Sequence, residues 1–101
     1  MARPPSAYRL SRLALGDLES IYDYTRQQWS ARQADKYYAE LVAGFRALAD
    51  GSRRGRDAEL GHGVMKAPVA SHVIFYQVTD SGIDIIRILH EAMDAPRHLK
   101  P

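Results

Sequence analysis

The stretch from His72 to His90, HVIFYQVTDSGIDIIRILH, most constrains what this chain can become. Two runs dense in Val, Ile, Phe and Tyr flank Asp80-Ser81-Gly82, a short polar stop with a glycine that tolerates positive φ. That is the signal of a β-hairpin. Both runs are apolar at nearly every position, which suits strands buried on both faces. The hairpin is expected at the centre of a sheet, with the rest of the chain arranged to cover it.

The covering material precedes it. Ala7 to Leu10 reads as a short first strand after a loose proline-containing lead-in over residues 1–6. A helix is expected from near Leu13, with Leu18, Ile21, Tyr22, Thr25 and Trp29 on one stripe. Ser30-Ala31-Arg32-Gln33 has the form of a capping box and opens a second helix. There Ala34, Tyr37, Tyr38, Leu41, Val42, Phe45, Leu48 and Ala49 keep the i, i+3, i+4, i+7 pattern until Asp50-Gly51 stops it. The short junction at Trp29-Ser30 predicts an antiparallel helical hairpin, and Tyr22, Trp29, Tyr37, Tyr38 and Phe45 read as its core. Gly44 marks either a close approach of the second helix to its neighbour or a tolerated weak spot. Residues 51–61 form a polar loop, in which Arg53, Arg54 and Arg56 read as solvated before they read as a binding patch. Val64 to Pro68 follows as a strand. The order is β-α-α-β-β-β: an α+β layer with the helical hairpin on one face of a mostly antiparallel sheet, in one domain over residues 7–99.

Side-chain parity then raises a covering problem. Alternation sends Ile74, Tyr76 and Val78 to one face and Val73 and Phe75 to the other. It likewise sets Ile83, Ile85 and Leu89 against Ile86 and Ile88. The helices cover one face only, and the segment after His90 is too short to cover the second. Either another chain completes the fold there, or sheet curvature and the tail hide the apolar surface.

The totals exclude several classes. The 101 residues include no cysteine, hence no disulfide framework and no thiolate chemistry. No apolar run approaches the length of a membrane span and no signal-peptide core opens the chain, so a cytoplasmic protein is expected. Net charge is +2, an excess that permits an acidic partner without requiring one. Metal-ligand spacings, phosphate-cradling loops and nucleophile elbows are not found, and no cofactor is expected.

Four segments together resemble the ParE toxins of the RelE/ParE superfamily: YRLS at 8–11, DLESIYDYT at 17–25, the hairpin itself, and EAMDAPRHL at 91–99. The resemblance implies a toxin of a bacterial type II toxin–antitoxin pair, neutralised by a small ParD-like antitoxin. It further implies DNA gyrase as the target, inhibited by protein–protein contact without catalysis, and ties the protein to plasmid stabilisation. Relatives of the RelE type instead cut mRNA on the ribosome, which is the alternative. The chain departs from the family pattern at Met65, Ser71 and Gln77, where a basic residue is expected, and at Ala70, where many relatives carry glycine. These changes remove positive charge from the strand region and argue against a nucleic-acid role there.

As a ribonuclease the chain would rely on Arg87, His90 and Lys66, with His72, Tyr76 and Glu91 as further candidates for base, cation and acid. Parity opposes the obvious pair, since Arg87 and His90 differ by three positions and point to opposite faces unless the strand ends or bulges between them. His72 and Tyr76 share a face, where a satisfied polar core is the simpler reading. Arg87, set among isoleucines and leucine, either pairs with an internal acid or meets a partner. The partner-binding set expected on this reading is Arg87, Tyr76, Ile85, Leu89, Met93 and Arg97. A third possibility is a non-toxic relative that only binds the antitoxin.

Overall fold

The computed structural model describes residues 7–91. Two helices lie on one face of a five-stranded sheet: β1 (Ala7–Leu10), α1 (Arg12–Gln28), α2 (Ala31–Asp50), β2 (Arg56–Asp57), β3 (Met65–Val69), β4 (His72–Thr79) and β5 (Gly82–His90). The sheet order is β1-β5-β4-β3-β2, with β1 parallel to β5 and every other pair antiparallel. The expected α+β architecture is therefore present, with two additions. A two-residue strand lies inside the arginine-rich loop, and the third strand sits one residue later than its alternation suggested.

Local chemistry explains the elements. Ser11 caps α1, its hydroxyl accepting from the Ala14 N–H at 3.0 Å and donating to the Ile86 carbonyl at 2.7 Å. The helix start is thereby fixed to β5 just where β1 ends. Ser30 caps α2 by accepting from the Gln33 N–H at 3.0 Å. Gly51 closes that helix in the left-handed region, with φ 83°. Gly44 marks a close approach, because a Cβ there would meet the methyls of Val69 at 2.8 and 2.9 Å. Helix α2 consequently lies close against β3. In the two-residue turn between β3 and β4, Ala70 takes φ 53°, a conformation that favours the glycine the family pattern expects.

The main core lies between helices and sheet. Leu18 of α1 and Leu41, Phe45 and Leu48 of α2 pack on Ile74, Tyr76, Ile83, Ile85 and Ile88. Tyr8 stacks at a tilt on Phe45, ring centres 5.3 Å apart, so β1 is held by side chains as well as by its ladder.

Two expectations fail here. Beyond Ile85 the simple alternation along β5 breaks. Tyr76 pairs with Ile85 but Phe75 pairs with Arg87, leaving Ile86 as an extra residue in a bulge. Every side chain beyond it changes face, so Ile88 joins Ile83 and Ile85 in the main core while Leu89 passes to the far side. The second correction concerns that far side. Phe75 and Leu89 are 4% and 2% exposed because Ala58, Leu60 and Val64 of the long loop fold over them. That loop is shaped by backbone turns: Glu59, Gly61, His62 and Gly63 all take positive φ, and the Gln77 amide donates to the His62 carbonyl at 2.6 Å. The cover comes from the loop before the hairpin.

Candidate functional site

The sequence-derived candidates separate into three places. Tyr76, Ile85 and Leu89, expected to meet a partner, are 4%, 0% and 2% exposed and belong to the protein's own core. Tyr76 and Ile85 are covered by the helices in the main core, while the bulge and the folded loop enclose Leu89 on the far side. The Tyr76 hydroxyl is used internally, accepting from the Gly55 N–H at 2.9 Å. Met93 and Arg97 lie outside the described residues.

Arg87 takes the internal option. Its guanidinium makes a two-pronged contact with Asp17 of α1, Nε to Oδ2 and Nη2 to Oδ1, both at 2.8 Å. The Ile88 N–H donates to the same carboxylate at 2.9 Å, so Asp17 closes the edge of β5 beyond β1. The two side chains retain only 15% and 14% exposure, and the hydrogen bonds that Arg87 donates to Asp17 hold the guanidinium pKa above its ordinary value.

Lys66 and His90, the other two ribonuclease candidates, do line one hollow. It is about 580 Å³, floored by Phe75 and Leu89 and rimmed by Arg54, Arg56 and Glu91. Arg87 does not line it. The bulge falls before Arg87, leaving the parity between Arg87 and His90 intact: Arg87 pairs with Phe75 and His90 with His72.

His72 and His90 form a third group with Tyr37 of α2. The Tyr37 hydroxyl lies 2.6 Å from His72 Nδ1 and accepts from the Ser71 N–H at 3.0 Å. The two imidazoles meet edge to face, centres 5.5 Å apart. Burial first, and the neighbouring His90 second, push the His72 pKa below the ordinary histidine value. The unfolded chain takes up this proton near the ordinary value of about 6.5, before the folded chain does, so stability is retained above that value and falls as pH drops through it toward the folded value. His72→Gln is expected to flatten the loss of stability between about pH 7.5 and about pH 5.5, read as urea midpoints. Parallel wild-type and variant slopes would remove His72 as the cause.

Apart from Val78 of β4, the large apolar side chains left exposed among the described residues lie on the helices. Trp29 is 75% exposed, Tyr24 64%, Leu13 61%, Leu15 48% and Tyr38 44%, so Trp29 and Tyr38 are not the hairpin core their spacing suggested. Trp29 is the C-cap of α1, where the chain leaves the helix and periodicity no longer governs direction. Two grooves run beside these side chains. One, about 610 Å³, lies between Leu15, Tyr22 and Tyr38 with Glu19, Asp23 and Asp35 at its sides. The other, about 530 Å³, runs from Tyr24 and Trp29 past Tyr37 to His72 and His90. Periodicity marks such residues only as apolar; which of them stay outside depends on how wide a stripe the sheet can cover. No helix among the described residues is long and apolar enough to cross a membrane.

Comparison with known proteins agrees with the architecture. The chain is 41% identical over 93 residues to Toxin ParE1 of Caulobacter vibrioides, covering 91% of this chain and 96% of that protein. It is 41% identical over 96 residues to Toxin ParE1 of Mycobacterium tuberculosis, covering 93% and 98%. A structure of the chromosomal ParDE toxin–antitoxin system from P. aeruginosa shares the fold, with TM-score 0.73 and 23% identity over 87% of this chain and 98% of that one. The sequence model of the ParE toxin of type II toxin–antitoxin system, parDE, matches residues 8–95, and the chain therefore belongs to the ParE toxin family.

Proposed function

We propose that this protein is a ParE toxin that inhibits DNA gyrase by direct contact in the cytoplasm and is held silent by a ParD-like antitoxin. The observation that carries the reading is the match to the ParE family across residues 8–95. The exposed aromatic and leucine side chains of α1 and α2 support a protein partner, since tryptophan and tyrosine dominate the energetics of protein interfaces. Gyrase supercoiling assays with purified toxin test the target. Inhibition that disappears on adding the antitoxin is the expected result, and full activity at large molar excess of toxin would refute gyrase inhibition.

The antitoxin surface has its own test. Trp29→Ala is expected to weaken antitoxin binding about 30-fold, the equivalent of a 2 kcal/mol contact, with folding unchanged because the ring is already exposed. An unchanged Kd would place the antitoxin elsewhere.

One observation favours the ribonuclease as a second reading: Lys66, His90, Arg54 and Arg56 share a hollow that can receive an anionic strand. Lys66→Ala should then abolish cleavage of translated mRNA while antitoxin binding persists. Intact transcripts during wild-type induction would exclude it.

A further inference from the structure

We infer that His72 and His90 form a two-histidine site for a divalent transition metal ion at the end of the helical groove. They are directly opposite residues of the antiparallel β4–β5 pair, so the backbone register holds their Cα atoms as neighbours. Two imidazoles bound to one tetrahedral ion at about 2.0–2.1 Å have ring centres about 5 Å apart, and the two rings here are 5.5 Å apart. A modest rotation about the side-chain bonds turns the edge-to-face pair toward a common point.

Tyr37 gives the site its orientation. Its hydroxyl, 2.6 Å from His72 Nδ1, occupies that nitrogen and leaves Nε2 as the position for an ion. In the Nδ1–H tautomer the tyrosine oxygen accepts from both His72 and the Ser71 N–H, using its two lone pairs. An outer partner that fixes the far nitrogen of a ligating histidine is the usual arrangement at metal sites. Tyr37 is therefore a positioning residue. The groove of about 530 Å³ that reaches both histidines gives an ion and its waters room to enter.

Among the described residues no group of three or more His, Cys, Asp or Glu is placed around one ion, so two protein ligands define the site and water completes the shell. Such a site exchanges its ion readily. With two imidazoles as ligands the order of affinity should be Cu²⁺ above Ni²⁺ above Co²⁺.

The chain reports on its own occupancy. Trp29, the sole tryptophan, lines the same groove, and a bound Cu²⁺ quenches a nearby indole. Titrating the full-length protein with CuCl₂ while following tryptophan emission should give quenching that saturates at one equivalent. His90→Gln, at an exposed position that does not threaten folding, should weaken the binding more than about tenfold, since losing even an outer partner costs about 10–100-fold. His72→Gln should do the same, and Tyr37→Phe should weaken binding while retaining the stoichiometry. His62→Gln, on the far loop, should leave the titration unchanged. Quenching that is unaltered in His90→Gln, or absent in the wild type, would overturn the inference. None of these outcomes depends on whether the target is gyrase.

Discussion

Asp17→Ala is expected to destabilise the protein by on the order of 3 kcal/mol, measured as the shift in urea unfolding free energy. The carboxylate receives two bonds from Arg87 and one from the Ile88 backbone, and its removal takes all three from a largely enclosed site. Breaking one half of a buried pair costs about 3–5 kcal/mol; the lower end applies because both side chains keep about one-seventh of their surface in water. Asp17→Asn, which still accepts from Ile88, should fall between wild type and alanine. Replacing both members with apolar residues, Asp17→Leu with Arg87→Met, should recover much of the loss, since the pair was costly to bury. A loss below about 0.5 kcal/mol in Asp17→Ala would show that water screens the pair fully. The result also bears on toxicity experiments. An Arg87→Ala variant that fails to poison cells has lost a fold contact before it has lost any target contact, so its stability must be measured first.

Gly82→Ala should be the more damaging change, on the order of 4 kcal/mol, from backbone strain and collision together. Gly82 has φ 149°, where side chains are rarely tolerated, and a Cβ there would run into the Ala7 carbonyl. The obstacle is backbone on both sides, so no rotamer change relieves it. The expected outcome is separation of β1 from β5, seen as fast amide exchange along Ala7–Leu10 while the β4–β5 ladder stays protected. Ser81→Ala, one residue earlier and exposed, should change stability by less than about 0.5 kcal/mol. Equal stability for the two variants would contradict the close packing of β1 on Gly82.

Much of this fold was legible in the residues because local signals agreed. The serine cap at Ser30, the glycine stop at Gly51 and the turn at Asp80-Ser81 each act within a few positions. What sequence reasoning missed is non-local. The Ile86 bulge has no residue-type signature, since isoleucine suits either face, yet it decides which side Ile88 and Leu89 occupy. The loop that covers Phe75 read as polar because its apolar members, Ala58, Leu60 and Val64, are spaced irregularly. Its direction is set by positive-φ turns at Glu59 and His62, residues that do not advertise them. Ser11 was a findable miss: a serine ahead of an apolar-periodic run is an ordinary cap signal. The Arg87–Asp17 pair spans 70 positions, and sequence poses that question without naming the acid. Of the candidate surface, the aromatic residues were visible, but whether Trp29 or Phe45 was the buried one depended on where the sheet stops.

The position of β5 has a consequence for how the protein is made. It is flanked by β1, the first of the described strands to be synthesised, and by β4, and it is itself the last of them to be completed. Between Leu10 and His90 the ribosome adds 80 residues, which at about 5–20 residues per second takes roughly 4–16 s. For all that time β1 has no strand to join, while the helical hairpin can already form from contacts close in sequence. A chain terminated before Gly82 would carry both helices and four of the five described strands but lack the one that joins β1 to the rest. Termination at that point therefore leaves β1 unjoined and the main core without Ile83, Ile85 and Ile88, so the helices that carry the exposed aromatic residues have no completed sheet to rest on.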